Sequence, residues 1–180
     1  MVGEEFRKFF GPPQLATGVP LMDLGLERFW FLKDFEREVG GGIFRSGMLS
    51  VASRREQVAE LDDWRKLMPP GAGHFATNGL GDLFVVTPEG NAILWIETQY
   101  AKVSRLDVRA EQFFDWLAQP EQRQKYLAEK LWDLRFADLQ PDEVLGFVPA
   151  LALGGPMDWG NLEKVKLREH LGILAQLLLT

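Results

Sequence analysis

The chain reads as an α+β protein, a central and mostly antiparallel sheet packed by several helices. Three observations predict this. Two short apolar runs, Asp82 to Thr87 and Ala92 to Thr98, are separated by Pro88-Glu89-Gly90-Asn91, which has hairpin-loop chemistry. In the first run both alternating sets are apolar, Leu83 and Val85 against Phe84 and Val86, so that strand is covered on both faces and belongs mid-sheet. Around it stand segments with helical spacing, the clearest being Ala110, Phe113, Phe114 and Leu117 at i, i+3, i+4 and i+7.

From the N-terminus, Glu4 to Phe10 places Phe6, Phe9 and Phe10 on one helical face before Gly11-Pro12-Pro13 ends the turn. Gln14 to Pro20 reads as an extended connector. Leu26 to Val39 is predicted as a helix, with Leu26, Phe29 and Trp30 on one face and Leu32, Phe35 and Val39 on another. Cover that wide implies burial between two layers. Gly40-Gly41-Gly42 stops it; no strand precedes the glycines and no Lys-Ser/Thr pair follows, so they read as a cap and turn rather than a phosphate cradle.

Ile43 to Ala52 alternates as a hairpin or bent strand broken at Gly47. Ser53 with Glu56 forms a capping-box pattern for a helix to about Met68, where Pro69-Pro70-Gly71 closes it. After the two central strands a tight connection at Thr98 to Ala101 leads to a third, Lys102 to Leu106. Pro120 is placed to open a further helix, with Leu127, Leu131 and Leu134 as its stripe. Gln140-Pro141-Asp142 is a turn, Val144 to Leu153 is apolar almost throughout, and Gly154-Gly155-Pro156 ends it. Leu167, Leu171, Leu174 and Leu178 line one face of a last helix.

Composition narrows the function. The 180 residues are 46% hydrophobic with six Trp and thirteen Phe, enough for a sizeable packed core. With no cysteine there is no disulfide framework, thiolate nucleophile or cysteine metal site. Acids occupy the N-terminus where a signal peptide would be basic, and no run approaches a membrane span, so a cytoplasmic protein without membrane partners is expected. Net charge is −6, and residues 107–148 carry nine acids against five bases. That sign disfavours direct nucleic-acid binding but suits a basic partner, a nuclease's own DNA cleft included; an ordinary solvated helical surface has the same appearance.

No catalytic, cofactor or metal pattern is visible. His74 and His170 are far apart, neither HExxH nor EF-hand spacing occurs, and no serine has a nucleophile context. The adjacent pairs Asp62-Asp63 and Asp142-Glu143 point about 100° apart on a helix and share no site. Asp82 and Glu97 fall near the ends of paired strands and, with His74, are the only candidates for a sheet-edge pocket of a small-ligand protein or enzyme. Trp159, in the glycine-bounded loop Pro156 to Gly160, is either a binding residue or cover over the core.

Two stretches resemble a known family. Phe9-Phe10-Gly11-Pro12-Pro13, Val19-Pro20, Phe29-Trp30-Phe31-Leu32 and Gly42-Ile43-Phe44-Arg45-Ser46-Gly47 resemble the GAD-like domain. Asp142 to Gly155, Asn161-Leu162-Glu163-Lys164-Val165 and Arg168-Glu169-His170-Leu171 are similar to the C-terminal domain of immunity proteins paired with type VI secretion DNase toxins; Gly81-Asp82-Leu83-Phe84 fits that domain's central strand pair. The Gly-Pro-Met-Asp-Trp-Gly run after Gly155 departs from the more polar residues expected there. The resemblance implies a GAD-like part over 1–70 and an immunity domain over 71–180 in one globular unit, a SUKH-like arrangement being compatible with it. It implies a bacterial, non-enzymatic antitoxin without cofactors that binds a cognate secreted toxin, a nuclease. The partner-binding residues expected on that basis are Asp158 and Trp159 in the loop and Glu111, Asp115, Glu121 and Glu129 on the acidic helices. A housekeeping adaptor with the same fold is the remaining alternative.

Overall fold

The computed structural model describes residues 3–14, 18–134 and 139–179. Six strands form one antiparallel sheet in simple chain order: β1 (Gly42–Phe44), β2 (Leu49–Val51), β3 (Gly73–Asn78), β4 (Leu83–Val86), β5 (Ala92–Glu97) and β6 (Lys102–Arg109). A separate antiparallel pair joins β7 (Glu143–Phe147) to β8 (Leu162–Lys166). Residue 70 falls between β2 and β3, which pair directly, Val51 opposite Ala76.

β4 lies between β3 and β5 with all four residues buried, as its two apolar faces require. Phe84 and Val86 enter a core built with α1 (Glu4–Phe10), α2 (Trp30–Glu38), α4 (Phe113–Leu117) and α5 (Pro120–Leu127). Leu83 and Val85 point the other way, against Trp64 of α3 (Leu61–Trp64) and Leu171 and Leu174 of α7 (Leu167–Leu178). A third cluster, Leu139, Leu145, Phe147 and Leu162, packs the β7–β8 pair. The β4–β5 loop is the expected hairpin: Gly90 has φ 72° and its amide donates to Thr87 O at 2.8 Å, a turn that only glycine adopts without strain.

The first core is largely phenylalanine. Phe114 stacks on Phe35 with centroids 3.7 Å apart and meets Phe6, Phe31, Phe75 and Phe113 at 5.3–6.3 Å. The stripe Ala110, Phe113, Phe114 and Leu117 is fully buried, as its spacing predicts, although Ala110 sits in a 3-10 turn ahead of α4.

Local structure departs from the sequence reading in three places. The helix expected from Leu26 starts at Trp30. Leu26 and Phe29 are buried from a preceding turn, while Trp30 is 56% exposed because Phe31, Leu32 and Phe35 carry the buried face. The Ser53–Glu56 capping box forms, but on a 3-10 turn, Arg54–Gln57. Glu56 is pulled into the core by Ser53 N, Ser50 Oγ and Thr77 Oγ1 at 2.6–2.8 Å, and the chain extends at Val58 before α3. The helix opened by Pro120 breaks at Ala128 (φ 51°) into α5 and α6 (Glu129–Leu134), so Leu127 and Leu131 do not share one stripe. Residues 162–166 are strand, and the last helix begins at Leu167.

Among the described residues no helix is long and apolar enough to cross a membrane.

Candidate partner-binding site

Two depressions collect part of the sequence-predicted residues, Glu111 and Asp115 in one and Asp82, Glu97 and Trp159 in the other. The first is a shallow groove of about 710 Å³ beside α2 and α4. Glu111 and Asp115 line it together with Asp34 and Asp107, and Trp30 and Trp116 supply aromatic surface. Its acids are not equally available. Asp115 accepts from the amides of Gly3, Glu5 and Phe6 at 2.9–3.2 Å, holding the start of α1 against α4. Glu111 pairs with Arg109 at 3.3 Å and Asp34 with Arg37 at 2.7 Å.

Glu121 and Glu129 lie outside this groove. Glu121 is exposed in the first turn of α5. Glu129 accepts from Arg123 Nε at 2.9 Å, with both side chains more than four-fifths buried, and Arg123 also stacks 3.7 Å from the centre of the Phe9 ring. The helical acids therefore do not form one surface: Asp115 and Glu129 are engaged inside the molecule, while Glu121 stays exposed.

The second depression is a cleft of about 250 Å³ at the β5–β6 end of the sheet. Asp82 and Glu97 come from the ends of the central strands, and Gln99 and Tyr100 from the β5–β6 connection. Tyr126 rises from α5, and Trp159 and Met157 come from the loop before β8. Trp95 stands edge-on to Tyr126 at 4.9 Å, and Tyr100 Oη approaches Met157 Sδ at 3.6 Å. Trp159 is thus both a wall of a cleft and 44% exposed. Asp158 accepts from Gly160 N at 2.8 Å and shapes the turn that presents Trp159. His74, expected beside Asp82 and Glu97, instead lines a different cavity with Glu56 and Arg65, because it precedes a bulge in β3 on the far part of that strand. The grouping of all three residues at one sheet-edge pocket does not hold.

Asp82 is not poised for acid–base work. Its Oδ1 accepts from Thr98 N at 2.9 Å and from Thr98 Oγ1, and its Oδ2 accepts from Asn78 Nδ2 at 3.1 Å. Burial pushes its pKa up to about 6, with the Asn78 and Thr98 hydrogen bonds opposing the shift. Behind the cleft, Gln99 Nε2 lies 3.0 Å from His170 Nε2. Burial pulls His170 down to about 4, so it is neutral at pH 7 and accepts from Gln99. A Cβ on Gly146 would stand 2.8 Å from His170 Nδ1, which explains glycine in an otherwise bulky β7.

These shifts have opposite linkage. Asp82 binds its proton more tightly when folded, so its contribution falls as pH rises from about 4 to 6. His170 binds its proton more weakly when folded, so its contribution rises with pH from about 4 to the unfolded value near 6.5. His74, also lowered by burial, adds to the rising slope. Asp82→Asn is therefore expected to make unfolding free energy rise more steeply between pH 4 and 6 than in the wild type, about 1.4 kcal/mol more per pH unit at most. Denaturant titrations at stepped pH measure this; parallel curves would contradict the assignment.

Sequence reasoning missed Trp95, Gln99, Tyr126 and Met157 as cleft residues, and Trp30, Asp34 and Asp107 as groove residues. The only available signal was the Gln99-Tyr100 pair at the tip of a predicted tight connection. Among the described residues no cluster of three or more His, Asp or Glu could hold a metal ion.

No curated protein matches the chain. Among solved structures, the crystal structure of Atu4351 from Agrobacterium tumefaciens is similar, with a TM-score of 0.72 at 15% identity. The alignment covers 97% of this chain and 88% of that one, a likeness of fold in keeping with the α+β reading. Residues 107–178 match the family described as T6SS immunity protein Tdi1, C-terminal. That segment holds all six residues expected to bind a partner, and the match supports a type VI secretion immunity protein family.

Proposed function

We propose that the protein is a cytoplasmic antitoxin that binds a cognate type VI secretion toxin, a DNase, and occludes its active site or substrate groove. The family match over residues 107–178 carries this reading. The acidic groove supports the nuclease assignment, since a surface that grips phosphates is basic and complementary to Glu111, Asp107 and Asp34. In this reading residues 1–70 form the GAD-like part and residues 71–180 the immunity part, and the protein acts by binding rather than catalysis.

The decisive experiment is co-purification with the product of the neighbouring reading frame, followed by rescue of cells from that product's toxicity. Absence of a complex would sink the reading. Glu111→Lys combined with Glu121→Lys is expected to slow association by about tenfold at low salt and to flatten its salt dependence. These two are chosen because reversing Asp115 or Glu129 would also break the α1 cap or the Arg123 pair. An unchanged rate and salt slope in stopped-flow mixing would remove the acidic surface from the interface.

A second reading, a small-ligand protein or enzyme using the sheet-edge cleft, is favoured by the buried polar atoms there that lack hydrogen-bond partners. A ligand-induced melting shift that disappears in Asp82→Ala would support it.

A further inference from the structure

The cleft beneath Trp159 holds buried polar atoms that have no hydrogen-bond partner in the fold. Gln99 is 8% exposed; its Nε2 is committed to His170, while its Oε1 is buried without a donor. Glu97 Oε1 is buried and makes no hydrogen bond, but it forms an ion pair with Lys102 Nζ at 3.3 Å, so an incoming cation would have to share or displace that contact. A buried acceptor without a donor is costly unless something supplies one. Around them stand the aromatic faces of Trp95, Tyr126 and Trp159, with Met157 and Tyr100 exposed at the rim.

Unmet acceptors, a carboxylate and aromatic walls together select a cation with several donors. At about 250 Å³ the space is below the 300–1,000 Å³ usual for small-molecule sites, and suits one long side chain. A guanidinium is the better fit than an ammonium, because its planar fork serves two acceptors at once and stacks on rings. Resting on the immunity reading above, we propose that this cleft receives an arginine side chain of the cognate toxin, with Glu97 and Gln99 as acceptors and Trp159 closing over its stem.

Trp95 Nε1 also lacks an acceptor, and a guanidinium cannot provide one. A water or a main-chain carbonyl must therefore enter with the arginine. Lys125 holds its ammonium 5.0 Å from the Tyr126 ring centre, so a cation already rests on one wall and competes with the incoming one.

The test has two arms. In the first, N-acetyl-arginine methylamide is titrated into the full chain at millimolar concentration, following the Trp95 and Trp159 indole N–H signals by NMR. The neutral citrulline analogue is the control. The arginine compound alone should shift both signals, Glu97→Gln should abolish the shift, and Lys125→Ala should tighten binding about threefold. Equal shifts with citrulline, or none with arginine, overturn the proposal. In the second arm the neighbouring toxin is titrated against wild type, Glu97→Gln and Trp159→Ala, each checked for an unchanged melting temperature. Both substitutions should weaken the complex by about tenfold or more. A complex of unaltered affinity overturns the cleft assignment and leaves the immunity reading standing. No complex with the wild type overturns that reading, and with it the toxin as the source of the arginine.

Discussion

Replacing Arg55 with alanine is expected to lower the unfolding free energy by about 3–5 kcal/mol, beyond the worth of one hydrogen bond to a charged group. Arg55 is 1% exposed, and its guanidinium donates to four main-chain carbonyls. Nη1 reaches Gly47 O at 3.1 Å in the β1–β2 turn, and Nε reaches Pro141 O at 3.0 Å. Nη2 donates to Gln140 O at 3.3 Å and Glu143 O at 2.6 Å. One side chain thereby ties the β1–β2 turn to the turn and first residue of β7, which lie 85–88 residues beyond Arg55 in sequence. Burial pulls its pKa down to about 10, while Glu56, Asp142 and Glu143 oppose that shift, so it stays charged at neutral pH. Truncation would leave four carbonyls and a void. Arg55→Lys should recover little, because one ammonium on a flexible stem cannot serve carbonyls spread over two segments. Denaturant unfolding measures both variants, and a loss below roughly 1 kcal/mol in Arg55→Ala would show that water replaces the guanidinium at no great cost.

Phe114→Ala is the second large effect, also about 3–5 kcal/mol, here from a cavity rather than lost hydrogen bonds. Phe114 is fully buried where rings from α1, α2, β3 and α4 converge, and its partners Phe35, Phe6, Phe31, Phe75 and Phe113 cannot all collapse onto one missing ring. For a chain of this size the melting temperature should fall by about 10 °C. Phe114→Leu, which keeps most of the volume, should cost clearly less. Similar losses for the two variants would mean that ring geometry rather than volume holds this core.

Much of this arrangement can be read from local pattern. β4 announces its central place through Leu83, Phe84, Val85 and Val86, and Ser53 with Glu56 announces a cap that does form. The Phe113–Phe114 stripe was legible for the same reason: its spacing reports which side of a helix is buried. Trp30 was misread because helical spacing does not say where a helix begins, and Leu26 and Phe29 reach the core from a turn instead. The helix expected through Met68 failed for a different reason. Glu56 gains three buried hydrogen bonds by turning inward, one of them from Thr77 across the sheet, and together these outweigh local helix preference.

The candidate site was legible only in part. Asp158, Trp159 and the acid-rich stretch 107–148 stand out by residue type, and Asp82 and Glu97 as strand-end acids. Their neighbours do not. Gln99, Trp95 and Tyr126 are ordinary residues of a turn, a strand and a helix until the fold sets them around one cleft.

The sequence by itself therefore determined the α+β class, the central hairpin and the buried helix faces, because these depend on periodicity and on turn chemistry over a few residues. It also determined the acidic balance and the absence of cysteine chemistry. Only the tertiary structure decided which acids are free to meet a partner. Asp115 became the anchor of α1 and Glu129 the partner of Arg123, while Glu121 stayed in solvent. The physical reason is that a carboxylate's role is set by the donors brought to it across the fold, and for Asp115 those donors lie 109–112 residues away along the chain.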